Sequence, residues 1–177
     1  DNSRSVVSIF VALALVIGYF AYVAAFGVNV PFWDEWELLP RFQRFYNGSM
    51  PLAELIGSKH NEHLIGTAFS VMLFQHLITS FNVRALLFSD AVLQVLSVVL
   101  VFVIARRERL LEGKSLYVYA AAITAALLSL AQYKNALWGF QTAWYLITFF
   151  FLISIYLLSA IPGRGAPARS ILWRTFL

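Results

Sequence analysis

The segment Phe32-Trp33-Asp34-Glu35-Trp36-Glu37 sets two adjacent carboxylates between two indoles, with a third acid two residues on. Indoles settle at the membrane–water interface, so the spacing places Asp34 and Glu35 at headgroup depth. Near a low-dielectric boundary a carboxylate is pushed toward the range useful for a general base, and the chemistry on offer is deprotonation of an acceptor beside a lipid-borne substrate. The same residues also read as a helix start. Asp34 followed by Glu37 matches a capping box, and Trp36, Leu39, Phe42 and Phe45 recur every third residue. An interfacial helix from Asp34 to about Tyr46 is expected, bent or divided at Pro40. Catalysis and capping are compatible, because one acid can cap while the other points elsewhere.

A second polar cluster is Ser58-Lys59-His60-Asn61-Glu62-His63. On a helix His60 and His63 would share a face, where they could bind a metal or move a proton. The pair lacks a third ligand and is not the His-Glu-x-x-His zinc pattern. Hydrogen bonding to substrate or contact with a phosphate is favoured for Lys59, His60, Glu62 and His63, with a solvated helix start as the plain alternative. Asp90 follows Arg84 by about a turn and a half of helix. An acid inside a span faces a cavity or a partner, and Arg84 could supply that partner, meet a lipid phosphate, or snorkel to the headgroups. Further on, Lys134, Asn135 and Gln141 surround Gly139, which permits a sharp turn. Trp138, Phe140, Trp144 and Tyr145 read first as an aromatic belt and second as a sugar-stacking surface.

The elements that must carry these groups follow from composition. Of 177 residues 60% are apolar and only 12% charged, with mean hydropathy +0.75, beyond the apolar share of soluble domains, about 45–50%. Residues 6–28 form a charge-free run of about 23, where about 20 already cross a bilayer core. An all-α polytopic membrane protein is expected, and soluble-enzyme, DNA-binding and disordered classes are excluded. Without cysteine there is no disulfide, thiolate metal site or cysteine nucleophile. The net charge of +4 reads as topology and not as nucleic-acid binding, because basic residues collect in cytoplasmic loops.

Four spans are expected, at residues 6–28, 85–105, 115–131 and 142–161 of a single membrane domain. The apolar stretch 63–80 is interrupted by Gln75 and His76 near its centre. If it crossed, the Arg106-Arg107-Glu108-Arg109 turn would fall opposite Arg4. If it does not, Arg4, the group Arg106, Arg107, Arg109 and Lys114, and the group Arg164, Arg169 and Arg174 share one side. The positive-inside rule then puts both ends in the cytoplasm of a plasma (inner) membrane, with 63–80 a helix on or dipping into the outer leaflet. Residues 29–84 and 132–141 become outer loops. Ala121/Ala125 and Ala122/Ala126 offer small residues four apart for helix packing. The start at Asp1 and the apolar stretch 170–177, which reads as the approach to another span, point to a piece of a longer chain.

This order of features resembles the GT-C superfamily of membrane glycosyltransferases, which includes the protein O-mannosyltransferases and aminoarabinose transferases. The features are a first span, Asp34-Glu35 just past it, surface helices, Phe81-Asn82-Val83-Arg84-Ala85-Leu86 leading into the next span, and the basic turn Arg106-Arg107-Glu108-Arg109. The resemblance covers most of residues 6–114. It implies transfer of a sugar from a polyprenyl-phosphate donor to an outer-face glycan, lipid or protein acceptor. Asp34 would be the base, Glu35 its alternative or orienting neighbour, and Lys59, Arg84 and Lys134 would hold the donor phosphate. Metal-using relatives place an acid in the second outer loop, but residues 132–141 contain none, so no cofactor is expected and a divalent cation is not favoured. The family usually has eight or more spans, which implies further C-terminal spans or a partner subunit. The cluster Lys59-His60-Asn61-Glu62-His63 and the pair Lys134-Asn135 are expected to face one cavity with Asp34 and to bind an anionic headgroup. A non-catalytic membrane subunit or lipid-binding scaffold is the alternative of a different class. A transporter is disfavoured, because Asp90 alone is ionisable within the spans.

Overall fold

In lipid a segment must satisfy its own backbone, so the long apolar runs become helices. A computed structural model describes residues 2–110, 113 and 115–160; Lys114, Arg164, Arg169, Arg174 and the stretch 170–177 lie outside the described residues. Within them the protein is an all-α polytopic membrane protein, with four helices long and apolar enough to cross a membrane. Three are single helices: α1 (Asn2–Phe26), α5 (Val83–Arg107) and α8 (Thr142–Ala160). The other begins as α6 (Ser115–Leu127), whose 13 residues reach only about 20 Å. It breaks at Ser129 and resumes as a 3₁₀ turn, Leu130–Gln132, and then α7 (Tyr133–Ala136). Buried Gln94 of α5 compensates the break, its Nε2 donating to the Leu127 carbonyl at 2.7 Å. Of the alanines spaced four apart, Ala122, Ala125 and Ala126 are exposed, although α6 does pack along α1.

Between α1 and α5 the chain makes a long excursion and returns to its starting point. The Val83 amide donates to Asn29 Oδ1 at 2.7 Å. Arg84 donates to the Ala24 carbonyl, one of the free acceptors at the end of α1. The stretch 63–80 thus lies between two chain segments held together, and it is not among the helices long and apolar enough to cross a membrane. It is also shorter than expected as a helix: α4 runs Gly66–Thr79, because the residues before it form a two-stranded antiparallel hairpin, β1 (Lys59–His60) and β2 (His63–Leu64). Two short helices precede the hairpin, α2 (Glu35–Tyr46) and α3 (Leu52–Gly57). Pro40 lies inside α2 without dividing it, and Asp34 stands at the N-cap without a side-chain capping bond, so the capping box is not formed.

The larger of the two buried apolar clusters among the described residues lies at this loop end. Leu38 and Phe42 of α2, Leu55 of α3, and Phe69 and Met72 of α4 pack with Leu86 of α5 and with Phe140, Ala143 and Leu146. Each such side chain contributes about 1.5–3 kcal/mol on full burial. The spans instead turn much apolar surface outward, as Phe10, Ile17 and Leu158 do, which suits a lipid solvent. α4 ends with Ser80 and Phe81 both at positive φ, and the Phe81 amide returns to the His76 carbonyl at 2.9 Å. That reversal stacks the Phe81 ring on His76, 4.0 Å between centroids. Burial lowers the pKa of His76 to about 4.

Candidate active site

Trp33 takes a left-handed conformation, φ 49°, immediately before α2. Asp34 and Glu35 then follow in helical conformation, so their side chains leave roughly 100° apart: Glu35 goes inward and Asp34 toward the hairpin. Glu35 is 5% exposed, and its Oε2 accepts from the Phe32 amide at 2.6 Å. Its Oε1 is buried with no hydrogen-bond partner and presses on Gly139 of the 3₁₀ turn Gly139–Gln141. A β-carbon at Gly139 would stand 2.3 Å from that oxygen, so only glycine allows this approach. Burial raises the Glu35 carboxyl to about 7, against the opposing pull of the Phe32, Gly139 and Phe140 amides.

Behind the turn, Asp90 is buried as well. It accepts from Thr142 Oγ1 at 2.7 Å, and its Oδ2 has no partner. The Thr142 hydroxyl also stands 2.8 Å from the Gly139 carbonyl, so one hydroxyl serves both the turn and the acid. The expected pairing of Arg84 with Asp90 is not made, because Arg84 is exposed and engaged at the end of α1 while Asp90 is enclosed. Gln141 is buried in the same turn, not presented to a ligand.

Asp34 faces a different partner. His60 Nε2 stands 3.4 Å from Asp34 Oδ2 and 3.4 Å from Asn61 Nδ2, and Nδ1, which has no hydrogen-bond partner, stands 3.4 Å from Glu37 Oε2. The His60 side chain is 7% exposed, Asp34 36% and Glu37 55%, so a covered imidazole joins two accessible acids. The ring lies on Phe140, 4.5 Å between centroids. Arg41 fastens the hairpin to α2, donating to Ser58 Oγ at 3.2 Å and to the Lys59 carbonyl at 2.9 Å. His60 and His63 are not successive faces of a helix but opposed residues across the hairpin, joined through Asn61 at φ 50°. Lys59, Glu62 and His63 are exposed on it. Among the described residues no three His, Asp or Glu side chains form a set able to hold a metal ion.

The expected single cavity is two neighbouring sites. A cavity of about 540 Å³ is lined by Phe26, Val30, Phe32, Trp33 and Trp138, with Lys134 and Asn135 as its polar members. Asp34, Glu35 and the hairpin residues do not line it. Between them stands an aromatic wall: Trp33 meets Trp138 edge-on at 5.8 Å, and Trp138 stacks on Phe140 at 6.0 Å. Trp138 Nε1 is buried without an acceptor. No family model matches the chain, and no curated protein or solved structure is similar to it. The site therefore rests on its own geometry.

Three participants were not anticipated as site residues. Glu37 had been assigned to a capping box, Arg41 had no assignment, and Thr142 was read as the start of a span. A polar pair, Gln141-Thr142, at the mouth of an apolar run was the available signal for the last of these.

Proposed function

We propose that this chain is the donor-and-acceptor part of a GT-C-type glycosyltransferase, moving a sugar from a polyprenyl-phosphate carrier to an acceptor at the loop end. The observation that carries the reading is the adjacency of an aromatic-lined apolar cavity, with Lys134 and Asn135 in its lining, to an accessible carboxylate held by an imidazole. The cavity suits the isoprenoid nearest the phosphate, and Lys134 suits oxygens of the phosphate or sugar. Asp34 is the base, because a base must reach the acceptor hydroxyl and Asp34 is accessible where Glu35 is enclosed. Glu35 instead locks the first loop to the second. The loop end is the outer face, and both chain ends are cytoplasmic. Further spans or a partner subunit complete the enzyme.

A metal is not required in this reading. The two His60 nitrogens point at different acids, so the imidazole cannot bring both carboxylates to one ion, and activity is expected to survive EDTA.

The test is release of polyprenyl phosphate from a panel of polyprenyl-phosphate hexoses and pentoses, with the chain in liposomes of native membrane lipid. Asp34→Asn is expected to cut turnover at least about a hundredfold, the scale for losing a general base. Lys134→Ala is expected to raise KM for the donor. Wild-type turnover in folded Asp34→Asn would leave the alternative, a non-catalytic membrane subunit in which the His60 contacts merely pin the hairpin.

A further inference from the structure

A carboxylate that acts as a base must offer one oxygen in a fixed direction, and an accessible aspartate on a helix end has rotational freedom to lose. At this site the restraint comes from a residue 26 positions away in the chain. His60 is covered by Phe140 on one side and by the first turn of α2 on the other, and each ring nitrogen faces a different carboxylate of that turn. Asp34 and Glu37 are three apart, so they lie on one face of the helix start and reach the same ring. The hairpin holds the ring at a set depth, with Asn61 in the left-handed turn position and Arg41 clamping Ser58 and Lys59 to α2. Arg41 and Lys59 are the cations beside this ring, and Glu35 of the same turn of α2 faces away from it, against Gly139.

We infer that His60 is the positioning residue for Asp34, its Nε2 standing against Oδ2 so that Oδ1 is presented to the acceptor, while the Glu37 carboxylate stands against Nδ1. The inference rests on the reading of Asp34 as the base. His60 touches neither donor nor acceptor. Its contribution is the orientation of a group that does, and it belongs to kcat rather than to donor binding. Glu37 becomes functional through the same ring, although it is half-exposed and would pass for a solubilising surface acid.

Two measurements test this. In the liposome assay with the polyprenyl-phosphate panel, His60→Gln is expected to lower kcat about ten- to a hundredfold with donor KM unchanged within about twofold. Glu37→Gln should lower it about three- to tenfold, and free imidazole should restore part of the activity of His60→Ala. In the second, ¹⁵N NMR of histidine-labelled protein needs no substrate, and the chain has 3 histidines to assign. The His60 ring-nitrogen signals should move on Asp34→Asn and on Glu37→Gln, while those of His63 and His76 stay. Wild-type kcat in both His60→Gln and Glu37→Gln, with Asp34→Asn inactive, would overturn the role of His60 and leave the transferase reading standing. Wild-type turnover in Asp34→Asn would overturn both. If His60→Gln does not fold, the exposed-site variant Glu37→Gln and the NMR decide, and ring signals indifferent to both acids contradict the inference.

Discussion

The rim that holds Asp34 and the seam that holds Glu35 start from adjacent residues. At the rim, accessible acids converge on one covered imidazole. At the seam, Glu35 and Asp90 are both enclosed, each with one bonded oxygen and one orphan, and their neighbours are amides, a hydroxyl and a glycine. The rim can exchange ligands and protons with its surroundings. The seam pins the second loop under the first and sets where the aromatic wall stands. Two carboxylates adjacent in sequence thus serve reach and fixation respectively, and the difference follows from the turn of roughly 100° between successive helical residues.

The comparison breaks most readily at Gly139. Gly139→Ala puts a β-carbon 2.3 Å from Glu35 Oε1 and 2.8 Å from Leu86 Cδ2, so Glu35 must leave the seam. A stability loss of about 1–3 kcal/mol is expected, the usual range for overpacking, measured by thermal or denaturant unfolding in detergent. The variant should disturb the seam first, and an unchanged melting temperature would show that the two loops are not fastened there.

Acidity sharpens the contrast next. The folded pKa of Glu35, about 7, lies above its unfolded value, so its contribution to stability is full below about pH 4.5 and is lost as pH rises through 7. His76, at about 4, lies below its unfolded value, so its contribution is present above about pH 6.5 and is lost as pH falls through 4. Each shift is worth about 3 kcal/mol at most, and between pH 4.5 and 6.5 the two slopes oppose. Wild type should therefore vary little over that window, Glu35→Gln should lose stability on acidification, and His76→Phe should lose it on alkalinisation. Parallel curves for the two variants would contradict the assignment of Glu35 to an enclosed seam.

Thr142→Val keeps the shape of the side chain but strips Asp90 of its bond, for an expected loss of about 1–3 kcal/mol. The smallest effect belongs to the rim. Asn61→Gly, at φ 50°, should change stability by less than about 0.5 kcal/mol, because both residues tolerate the left-handed turn. A larger loss would mean that the Asn61 side chain, 3.4 Å from His60 Nε2, matters beyond its backbone.

The spans were legible because an uninterrupted apolar run has one solution in lipid. Helix α2 was foreseen from the threefold recurrence that begins at Trp36. The hairpin was not. Its strands are two residues each and its turn is Asn61-Glu62, without the glycine that marks most two-residue hairpins, so nothing local separated it from a helix start. The capping box failed for a related reason: His60, distant in sequence, claims the Asp34 side chain that the pattern had assigned to a backbone amide. The seam joins Glu35 to residue 139 and Asp90 to residue 142, contacts that periodicity does not encode. What the sequence did expose was that acids, indoles and histidines crowd into the loops, and the fold brings Asp34, Trp33 and His60 into one region with Lys134 and Trp138 next door.

The division of labour between the two acids is tested most directly by one paired measurement, polyprenyl-phosphate turnover and melting temperature for Asp34→Asn and Glu35→Gln in the same liposomes across pH 4.5–8. Asp34→Asn should keep the wild-type melting profile and lose turnover at least about a hundredfold. Glu35→Gln should keep turnover within about fivefold and change the pH dependence of melting. The reverse pattern, turnover lost with Glu35→Gln and retained with Asp34→Asn, would contradict the account.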